Sequence, residues 1–346
     1  MSIALLFGGT SPERRVSVAS AQHVQDVLEQ LEPCALWFEA PDGQIYFPAA
    51  ADLRAYERPF ETDYTPRAFA AHPTLAAALD AEAEQVRDSV FFLALHGGTG
   101  EDGTIQKQLE ARGLAFTGSG SLASARAFDK TVAKQLVRDR GILTAESIVV
   151  PQNDVQRARA ALEGLLALHG RAVAKPVAGG SSVGLYQVST PEEAARAAQD
   201  VAFADEIYLA EAFIEGIELT VGVVENGDAL RALPPSEVRL DRGRAFDYEG
   251  KYLGKGTIEI TPAEVTAEVA RAAQEVAIAA HDALGCEGYS RTDVIVSPRG
   301  PVFLEINTLP GLTRRSFIPQ QLAADGTAIK DFLRDQLALA RRRASR

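Results

Sequence analysis

The sequence predicts a protein of the α/β class with three domains, and three observations lead to that expectation. Its 346 residues correspond to two or three domains of ordinary size. In the first third of the chain, apolar strand-like runs alternate with helical periodicity, which is typical of a parallel sheet. Near residue 118 the sequence pattern changes, and short strand-like segments then predominate. The expected domains are 1–118, 119–210 and 211–346.

Composition excludes several classes of function. Hydrophobic residues make up 46% of the chain and charged residues 24%, which excludes a disordered or fibrous protein. The net charge of −12 argues against a nucleic-acid-binding surface, because phosphate backbones need a basic face. No apolar run approaches the roughly 18 residues that span a bilayer, the chain starts without a basic leader, and two cysteines cannot form a disulfide framework. We therefore expect a cytoplasmic protein without nucleic-acid or membrane partners.

The first domain is predicted to hold the parallel sheet. Strands are expected at 3–7, 36–38 and 90–95, and helices at 16–31 and 104–112. Gly113 is a typical residue to end the second of these helices. The segment 42–81 is irregular and rich in proline, alanine and aromatic residues, and it receives no predicted role.

The other two domains are predicted to mix strands and helices. A single long helix is expected over 123–140, and a basic helix at the end of the chain. Between them we predict strands near 147–150, 172–175, 185–188, 218–224, 236–240, 257–260, 290–296 and 302–306, with helices at 192–200 and 263–284.

Two motifs match known signatures but lack the surroundings that those signatures need. Residues 98–103 match the dinucleotide motif G-x-G-x-x-G, but Glu101 and Asp102 in that turn would repel a pyrophosphate. Residues 180–184 match the hydrolase motif G-x-S-x-G, but the apolar alternation after them favours a strand over the helix that a nucleophile requires. The only later histidine, His281, lies within a predicted helix. Neither signature is adopted as a function.

A hairpin near residue 300 carries candidate metal ligands. Two apolar segments flank a Pro/Gly turn. If Val296 lies opposite Val302, then Asp293 lies opposite Glu305. Carboxylates placed about 5 Å apart repel each other. A Mg²⁺ ion relieves that repulsion, because carboxylate and amide oxygens are its usual ligands.

The same register places Arg291 opposite Asn307, on the face that carries the two carboxylates. The opposite face is predicted to be core and consists of Val294, Val296, Leu304 and Ile306. A slip of one residue in the register, or a merely solvated charged face, are the alternatives.

Lysine usage points to phosphate groups. Of 35 basic residues only seven are lysine. Lys175 ends a predicted strand, and the turn after it is rich in glycine and serine, whose N–H groups and hydroxyls suit phosphate oxygens. Lys130 lies on the long helix, and Lys251 lies in a polar stretch able to act as a lid. Each alone is more often a surface lysine, but together with the hairpin they suggest a nucleotide held between two sheets.

At this point the motifs resemble those of the D-alanine–D-alanine ligase family, within the ATP-grasp superfamily. The similar segments, in family order and over nearly the whole chain, are G-G-T-S-P-E (8–13), H-G-G-T-G-E-D-G-T (96–104), D-K (129–130), K-P-x-x-G-G-S-S-V-G (175–184), Y-E-G-K-Y (248–252), R-T-D (291–293) and E-I-N-T-L-P-G-L-T-x-x-S (305–316).

This resemblance implies a three-domain ATP-grasp ligase. Its N-terminal parallel α/β domain binds substrate, and ATP lies between a small central α+β domain and a C-terminal α+β domain. The implied reaction is ATP-dependent joining of two D-alanines through an acylphosphate, for peptidoglycan precursors. The resemblance also implies two Mg²⁺ ions, with Mn²⁺ as a substitute, and a homodimer formed through the N-terminal domain.

The resemblance further implies which residues bind ATP. The metal ions would be held by Asp293, Glu305 and Asn307. The phosphates would be contacted by Lys130, Lys175, Ser182 and Lys251. Adenine would be held by Glu211 with Phe213 and Ile214, and the ribose by Glu218.

The remaining implied residues act on the two amino acids. Arg291 and the Gly311 N–H would stabilise the acylphosphate and the oxyanion. The first D-alanine would meet Glu13 and His96, with Ser181 and Tyr252 completing a hydrogen-bonded group with Glu13. The second would meet Ser316 and Phe317.

Three alternatives remain beside this interpretation. Glu13 is also a residue favoured at a helix start for electrostatic reasons alone. The second substrate could be D-lactate, D-serine or another amino acid, and Arg314 and Arg315 depart from the family pattern next to it. A non-catalytic nucleotide-binding regulator is the third, and it predicts loss of at least one residue of the hairpin set, all of which are present.

Overall fold

The strands of the described residues form three sheets that follow one another along the chain. The computed structural model describes residues 2–180, 184–227, 229–240 and 257–345. The first sheet has five strands, the second four and the third six. Within the described residues, no helix combines the length and the apolar character needed to cross a membrane.

The first sheet confirms the predicted parallel arrangement. Its strand order is β3-β2-β1-β4-β5, and every neighbour pair is parallel except β2 with β3. The strands are β1 (Ser2–Gly8), β2 (Cys34–Glu39), β3 (Ile45–Tyr46), β4 (Ser89–Leu93) and β5 (Ala115–Phe116), and the helices are α1 (Arg14–Glu29), α2 (Ala50–Arg54), α3 (Leu75–Ala81), α4 (Ala83–Val86) and α5 (Thr104–Glu110).

Strand β1 is buried on both faces, which explains its unbroken apolar run. Ile3, Leu5 and Phe7 belong to one core cluster, while Ala4 and Leu6 belong to another on the opposite face. A parallel sheet covered on both sides needs such a run rather than an alternating one.

The second sheet is antiparallel, in the order β6-β9-β7-β8. Two helices, α8 and α9, cover one of its faces with alanine, leucine and valine side chains. Helix α8 was not predicted. The elements in chain order are α6 (Ser121–Phe128), α7 (Lys130–Asp139), β6 (Ser147–Val149), α8 (Val155–His169), β7 (Ala172–Pro176), β8 (Tyr186–Val188), α9 (Pro191–Val201) and β9 (Tyr208–Ala212).

The single helix expected over 123–140 is two helices, so that prediction was wrong. The chain leaves helical geometry at Asp129, whose φ and ψ are −85° and 105°. Its carboxylate accepts hydrogen bonds from the backbone N–H groups of Thr131 and Val132 at 2.8 and 3.1 Å. This is a helix N-cap. It makes Lys130 the first residue of α7 rather than a residue within a longer helix.

The third sheet is antiparallel, in the order β13-β12-β10-β14-β15, with β11 paired to β10 as well. Its elements are β10 (Ile217–Asn226), β11 (Ala229–Ala232), β12 (Ser236–Leu240), β13 (Thr257–Ile260), α10 (Ala267–Leu284), β14 (Tyr289–Ser297), β15 (Gly300–Asn307), α11 (Phe317–Ala324) and α12 (Ile329–Ala344).

Helices carry contacts between the three parts of the chain. Val137 of α7 packs in one cluster with Leu284 of α10 and Phe303 of β15. Phe332 and Leu337 of the last helix, α12, belong to the core cluster of the first sheet. Each sheet is therefore formed by one continuous part of the sequence, whereas helix α12, at the end of the chain, packs against the first sheet.

Candidate active site

The hairpin of β14 and β15 brings the predicted metal ligands face to face. Asp293 pairs with Glu305 and Arg291 pairs with Asn307, which confirms the predicted pairs. The assumed pairing of Val296 was wrong, because Val296 lies opposite Pro301. The register shifts between Asp293 and Val294.

A bulge at Leu304 explains both results. Val294 lies opposite Phe303, so Leu304 is the extra residue of β15. Phe303 is fully buried in its place, while Leu304 is only half-buried, so the prediction that Leu304 belongs to the core face was wrong. The bulge lies beyond the polar pairs on the turn side, so their relative positions are unaffected.

Asp293 is held by two neighbours. The Nε and Nη2 atoms of Arg291 donate to its two carboxylate oxygens, each at 3.0 Å. Thr220, its partner on β10, donates its hydroxyl to Oδ1. A bidentate guanidinium contact fixes both side chains in one plane. Thr220 had not been predicted as a site residue.

A second polar group joins the end of the hairpin to the first domain. Asn307 donates from Nδ2 to Oε1 of Glu101 at 3.4 Å, and its Oδ1 accepts from the backbone of Leu309 at 2.7 Å. His96 Nδ1 lies 4.0 Å from the same Glu101 oxygen. Glu101 therefore lies between a predicted metal ligand and a predicted substrate residue.

Burial governs the protonation of this group. Burial lowers the pKa of His96, and the nearby Glu13 carboxylate offsets that only in part. Burial and the charge of Glu13 together raise the pKa of Glu101. The His96 ring is thus neutral at neutral pH, and its Nε2 lies 3.0 Å from the Ser20 hydroxyl.

Glu13 lies where three segments meet. It is the residue before α1. A Cβ placed on Gly97 would lie 2.7 Å from Glu13 Oε2, and one on Gly180 would lie 3.6 Å from it. Gly97 also has a φ of +65°, so both its conformation and the close carboxylate require glycine. The Glu13 carboxylate therefore faces the loop after β4 and the glycine turn after β7.

The predicted phosphate lysines lie close to Glu305 and Glu211. Lys130 donates from Nζ to the carbonyl oxygen of Gly179 at 2.6 Å and lies 3.6 Å from Glu305 Oε2. Lys175 Nζ lies 3.0 Å from Glu211 Oε2. The two lysines thus flank the start of the glycine turn.

Lys134 is a site residue that sequence reasoning missed. Its Nζ lies 2.9 Å from Glu211 Oε1 without the alignment of a hydrogen bond, so the contact is an ion pair. The available signal was its spacing, because residues four apart on a helix share a face and Lys130 precedes it by four.

Opposing effects set the charges of this buried group. Burial by itself would raise the pKa of Glu211, but Lys175 and Lys134 outweigh it and lower that pKa. Burial by itself would lower the pKa of Lys175, but Glu211 and Glu305 outweigh it and raise that pKa. For Lys134 burial is the stronger effect and the pKa is lowered.

The predicted adenine residues follow along the chain from Glu211. The backbone N–H of Phe213 already donates to the carbonyl of Arg171 at 3.1 Å, and the Arg171 guanidinium lies 3.8 Å from the centre of the Phe213 ring. Ile214 is half-buried. Because the N–H of Phe213 is already used, Phe213 can offer a base its carbonyl oxygen and its ring.

A tight corner, which we call the acceptor corner, holds Gly311 together with Ser316 and Phe317, the residues predicted to bind the second substrate. The Ser316 hydroxyl accepts from the backbone of Thr313 at 3.1 Å. A Cβ on Gly311 would lie 2.6 Å from that hydroxyl oxygen. Phe317, the first residue of α11, has its ring centre 5.9 Å from the Arg291 guanidinium carbon. Arg291 thus lies between Asp293 and an aromatic ring.

One cavity of about 770 Å³ joins most of these groups. The predicted residues that line it are Glu13, His96, Glu218, Arg291, Asp293, Glu305, Asn307, Gly311, Ser316 and Phe317. A smaller cavity beside it is lined by Lys130 and Gly179 and shares Glu305 and Asn307. Lys175, Glu211, Phe213 and Ile214 line neither cavity. Ser181, Ser182, Lys251 and Tyr252 lie outside the described residues.

The cavity also has walls that sequence reasoning did not assign. Pro59 and Phe60 line it, which places part of the unassigned segment 42–81 against the site. Arg314 and Arg315, which were expected next to the second substrate, line it as well. The segment is attached to α1 by Asp63, whose carboxylate accepts from Arg14 at 2.7 Å.

The hairpin donor set fits a hard divalent cation. It consists of two opposed carboxylates and one amide oxygen on a single face that lines the cavity. These are the ligands that Mg²⁺ prefers. Within 2–180, 184–227, 229–240 and 257–345, no cluster of three or more His, Cys, Asp or Glu side chains has metal-binding geometry. The donor set includes only two such residues, so the amide of Asn307 is needed to complete it.

Comparison with known proteins gives a consistent result. Residues 2–119 match the family model of the D-ala D-ala ligase N-terminus, and residues 136–338 match that of the D-ala D-ala ligase C-terminus. The chain is 35% identical to a D-alanine–D-alanine ligase of Leptospira interrogans, with 99% of each chain covered.

Solved structures match over the same length. The D-alanine-D-alanine ligase from Coxiella burnetii has a TM-score of 0.80 and 25% identity, covering 100% of this chain and 95% of that one. The VanG D-Ala:D-Ser ligase from Enterococcus faecalis has a TM-score of 0.78 and 28% identity, covering 98% and 99%.

Proposed function

The chain belongs to the D-alanine–D-alanine ligase family, and we propose that its described residues perform the ligation within the large cavity. The enzyme joins two D-alanines at the expense of ATP, for cell-wall precursor synthesis. One observation carries the assignment of residues. The cavity brings the Asp293–Glu305 and Arg291–Asn307 pairs together with Glu13 on one side and Ser316 on the other.

The first step is phosphoryl transfer, in which the carboxylate of the first D-alanine attacks the γ-phosphate of ATP. Such transfer needs positioning and neutralised charge rather than a protein nucleophile. Glu13 faces the ammonium group of this D-alanine, and neutral His96 lies near its carboxylate. Lys130 and Lys175 neutralise phosphate oxygens.

Two Mg²⁺ ions, or Mn²⁺ in their place, are proposed at Asp293, Glu305 and Asn307. When bound, they neutralise charge on the phosphates. The support is the opposition of the two carboxylates in the hairpin. The bidentate contact with Arg291 already fixes the orientation of the Asp293 carboxylate.

In the second step the amine of the second D-alanine attacks the acylphosphate carbon, and phosphate leaves. The oxyanion that forms requires donors aimed at it. Arg291 and the backbone N–H of Gly311 are proposed for that role, because both line the cavity next to Ser316. Ser316 would bind the carboxylate of this substrate, and Phe317 would border its side chain.

ATP binding is proposed next to the hairpin, with Glu211, Phe213 and Ile214 at adenine and Glu218 at the ribose. Ser182 and Lys251 are proposed at phosphate, and Ser181 and Tyr252 beside Glu13. The division into 1–118, 119–210 and 211–346 remains a proposal, as do a cytoplasmic location and a homodimer formed through the first domain. The location follows from the need for ATP, and sedimentation analysis tests the dimer.

Phosphate release tests the function. We expect release with ATP, Mg²⁺ and D-alanine, and none above background with L-alanine or D-lactate in place of D-alanine. Mass spectrometry then identifies the dipeptide. Absence of D-alanine-dependent release would contradict the proposal.

A different second substrate is the competing candidate, and the 28% identity to a D-Ala:D-Ser ligase keeps it relevant. Equal amounts of D-alanine, D-serine and D-lactate in one reaction distinguish the candidates. We expect D-alanyl-D-alanine as the main product, and a predominant mixed product would assign the enzyme to the other substrate.

A further inference from the structure

Lys134, Glu211 and Lys175 form a buried group of one carboxylate between two ammonium ions. Oε1 of Glu211 faces Lys134 at 2.9 Å, and Oε2 faces Lys175 at 3.0 Å. The exposed fractions of the side chains are 1% for Lys134, 5% for Glu211 and 15% for Lys175. The group therefore has a closed end at Lys134 and a more open end at Lys175.

Lys134 is separated from the two cavities of the described residues. It lines neither of the two cavities described above. It lies on α7, where Ala133 and Val137 are buried against neighbouring helices and β15. Its position is thus fixed by the core, and among the described residues its contacting charged partner is Glu211.

The second ammonium ion changes what the other two residues can do. With Lys134 in place, Glu211 keeps a permanent counter-ion when Lys175 moves toward a phosphate. Without it, Lys175 is the only cation among the described residues in contact with the carboxylate, and it must serve both Glu211 and the phosphates. The lowered pKa of Glu211 agrees with this arrangement, because both lysines favour its ionised form.

An ionised carboxylate can only accept hydrogen bonds. It therefore binds the 6-amino group of adenine and repels the 6-oxo group of hypoxanthine or guanine. We propose that Lys134 is a specificity-determining positioning residue, which holds Glu211 ionised and in place so that the enzyme selects a 6-aminopurine nucleotide. This inference rests on the proposed contact of Glu211 with adenine.

The test compares ATP with inosine triphosphate (ITP), whose base carries a 6-oxo group and an N1–H in place of the 6-amino group and the unprotonated N1 of adenine. Lys134→Met removes the charge and retains the length of the side chain. We expect kcat/KM for ATP to fall about tenfold, the value of a weakened hydrogen bond to a charged group. For ITP we expect a change of less than about threefold, so that the ATP/ITP ratio falls. Lys107→Met, at an exposed lysine of α5, is the matched control and should leave the ratio unchanged.

A merely structural role gives a different result. If Lys134→Met lowers ATP and ITP use equally, or leaves both unchanged, the proposal is wrong. The pair Glu211→Gln and Lys134→Met/Glu211→Gln gives a second test should the single variant fold poorly, because the double variant keeps the net charge of +1 that the buried group has in the wild type. Since Lys134 acts through Glu211, the two should share one ATP/ITP ratio, and a further change in the double variant would overturn the inference.

Calorimetric binding of ATP and ITP with Mg²⁺, without D-alanine, separates this inference from the proposed function. A wild-type enzyme that fails to release phosphate with D-alanine would contradict the proposed function alone. The effect of Lys134→Met on the ratio of binding constants would still decide the inference.

Discussion

We expect Asp129→Ala to weaken ATP binding, although Asp129 is not one of the residues proposed to contact ATP. The Asp129 carboxylate accepts from the N–H groups of Thr131 and Val132 and from the Thr131 hydroxyl, at 2.8, 3.1 and 2.5 Å. These bonds close the first turn of α7, which starts at Lys130. The Lys130 ammonium group in turn reaches the carbonyl of Gly179 at 2.6 Å. Loss of the cap therefore loosens a residue proposed to contact phosphate.

The magnitude follows from the partners that are lost. An N-cap replaced by alanine costs about 1 kcal/mol in unfolding free energy. The exposure of Val132 lets water replace part of the loss. For ATP, a partly misplaced lysine loses a fraction of a charge-assisted hydrogen bond, and we expect KM to rise about threefold to tenfold.

A matched control separates the local effect from general destabilisation. Asp154 caps α8 by accepting from the backbone of Arg157 at 3.0 Å, and α8 lines neither cavity. Asp154→Ala should cost a similar free energy in urea unfolding and leave KM for ATP unchanged. Asp129→Asn keeps an acceptor oxygen and should recover most of both losses.

The assay is phosphate release at saturating D-alanine over a range of ATP concentrations. Equal increases of KM in Asp129→Ala and Asp154→Ala would show that only overall stability matters. A destabilised Asp129→Ala with unchanged KM would refute the connection between the cap and Lys130.

Three further predictions concern the hairpin, the acceptor corner and acid stability. Glu305→Gln removes one charge of the proposed metal set, so turnover should fall by about a hundredfold or more with an unchanged circular dichroism spectrum; near-normal turnover would contradict the metal assignment. Gly311→Ala places a methyl group 2.6 Å from the Ser316 hydroxyl, so kcat/KM for D-alanine should fall about tenfold to a hundredfold, and an unchanged value would exclude that corner as the acceptor site. Burial lowers the pKa of His281 to about 4, so the folded state resists protonation, and stability present above about pH 6.5 is lost as the pH falls toward 4. Because His281→Asn does not titrate, it should lose about 2 kcal/mol less than wild type between pH 7 and pH 5 in urea unfolding, and equal losses would refute the role of this histidine.

The parts of the fold that were predictable are those with strong patterns. The buried run of β1 and the hairpin of β14 and β15 carry apolar periodicity that only one kind of element satisfies. Helix α8 was missed because it buries only Ala158, Leu162 and Leu165, which leaves a weak apolar stripe. Its boundary residues were the better signal, because Asp154 caps its start and Gly170 ends it with a φ of +74°.

The bulge at Leu304 explains why the Asp293–Glu305 and Arg291–Asn307 pairs were predicted correctly although the assumed pairing of Val296 was wrong. An alternating pattern fixes which residues share a face, but not where an extra residue is inserted. Val294 needs a buried partner, and Phe303 supplies it only if Leu304 is passed over. A packing requirement of this kind depends on side-chain volumes across the sheet, and a single strand does not reveal it.

The positions of the lysines also connect the composition of the sequence to the candidate site. Three of the seven, Lys130, Lys134 and Lys175, lie together on two elements, with side-chain exposures of 8%, 1% and 15%. Within the part of the chain that the structure describes, the only charged partner in contact with Lys134 is one oxygen of Glu211. A guanidinium group there would bring five N–H donors, most of them without acceptors, and each unmet buried donor costs free energy. A compact ammonium group brings only three N–H donors and lowers that cost, so a chain that otherwise favours arginine keeps lysine where a buried charge meets a single oxygen.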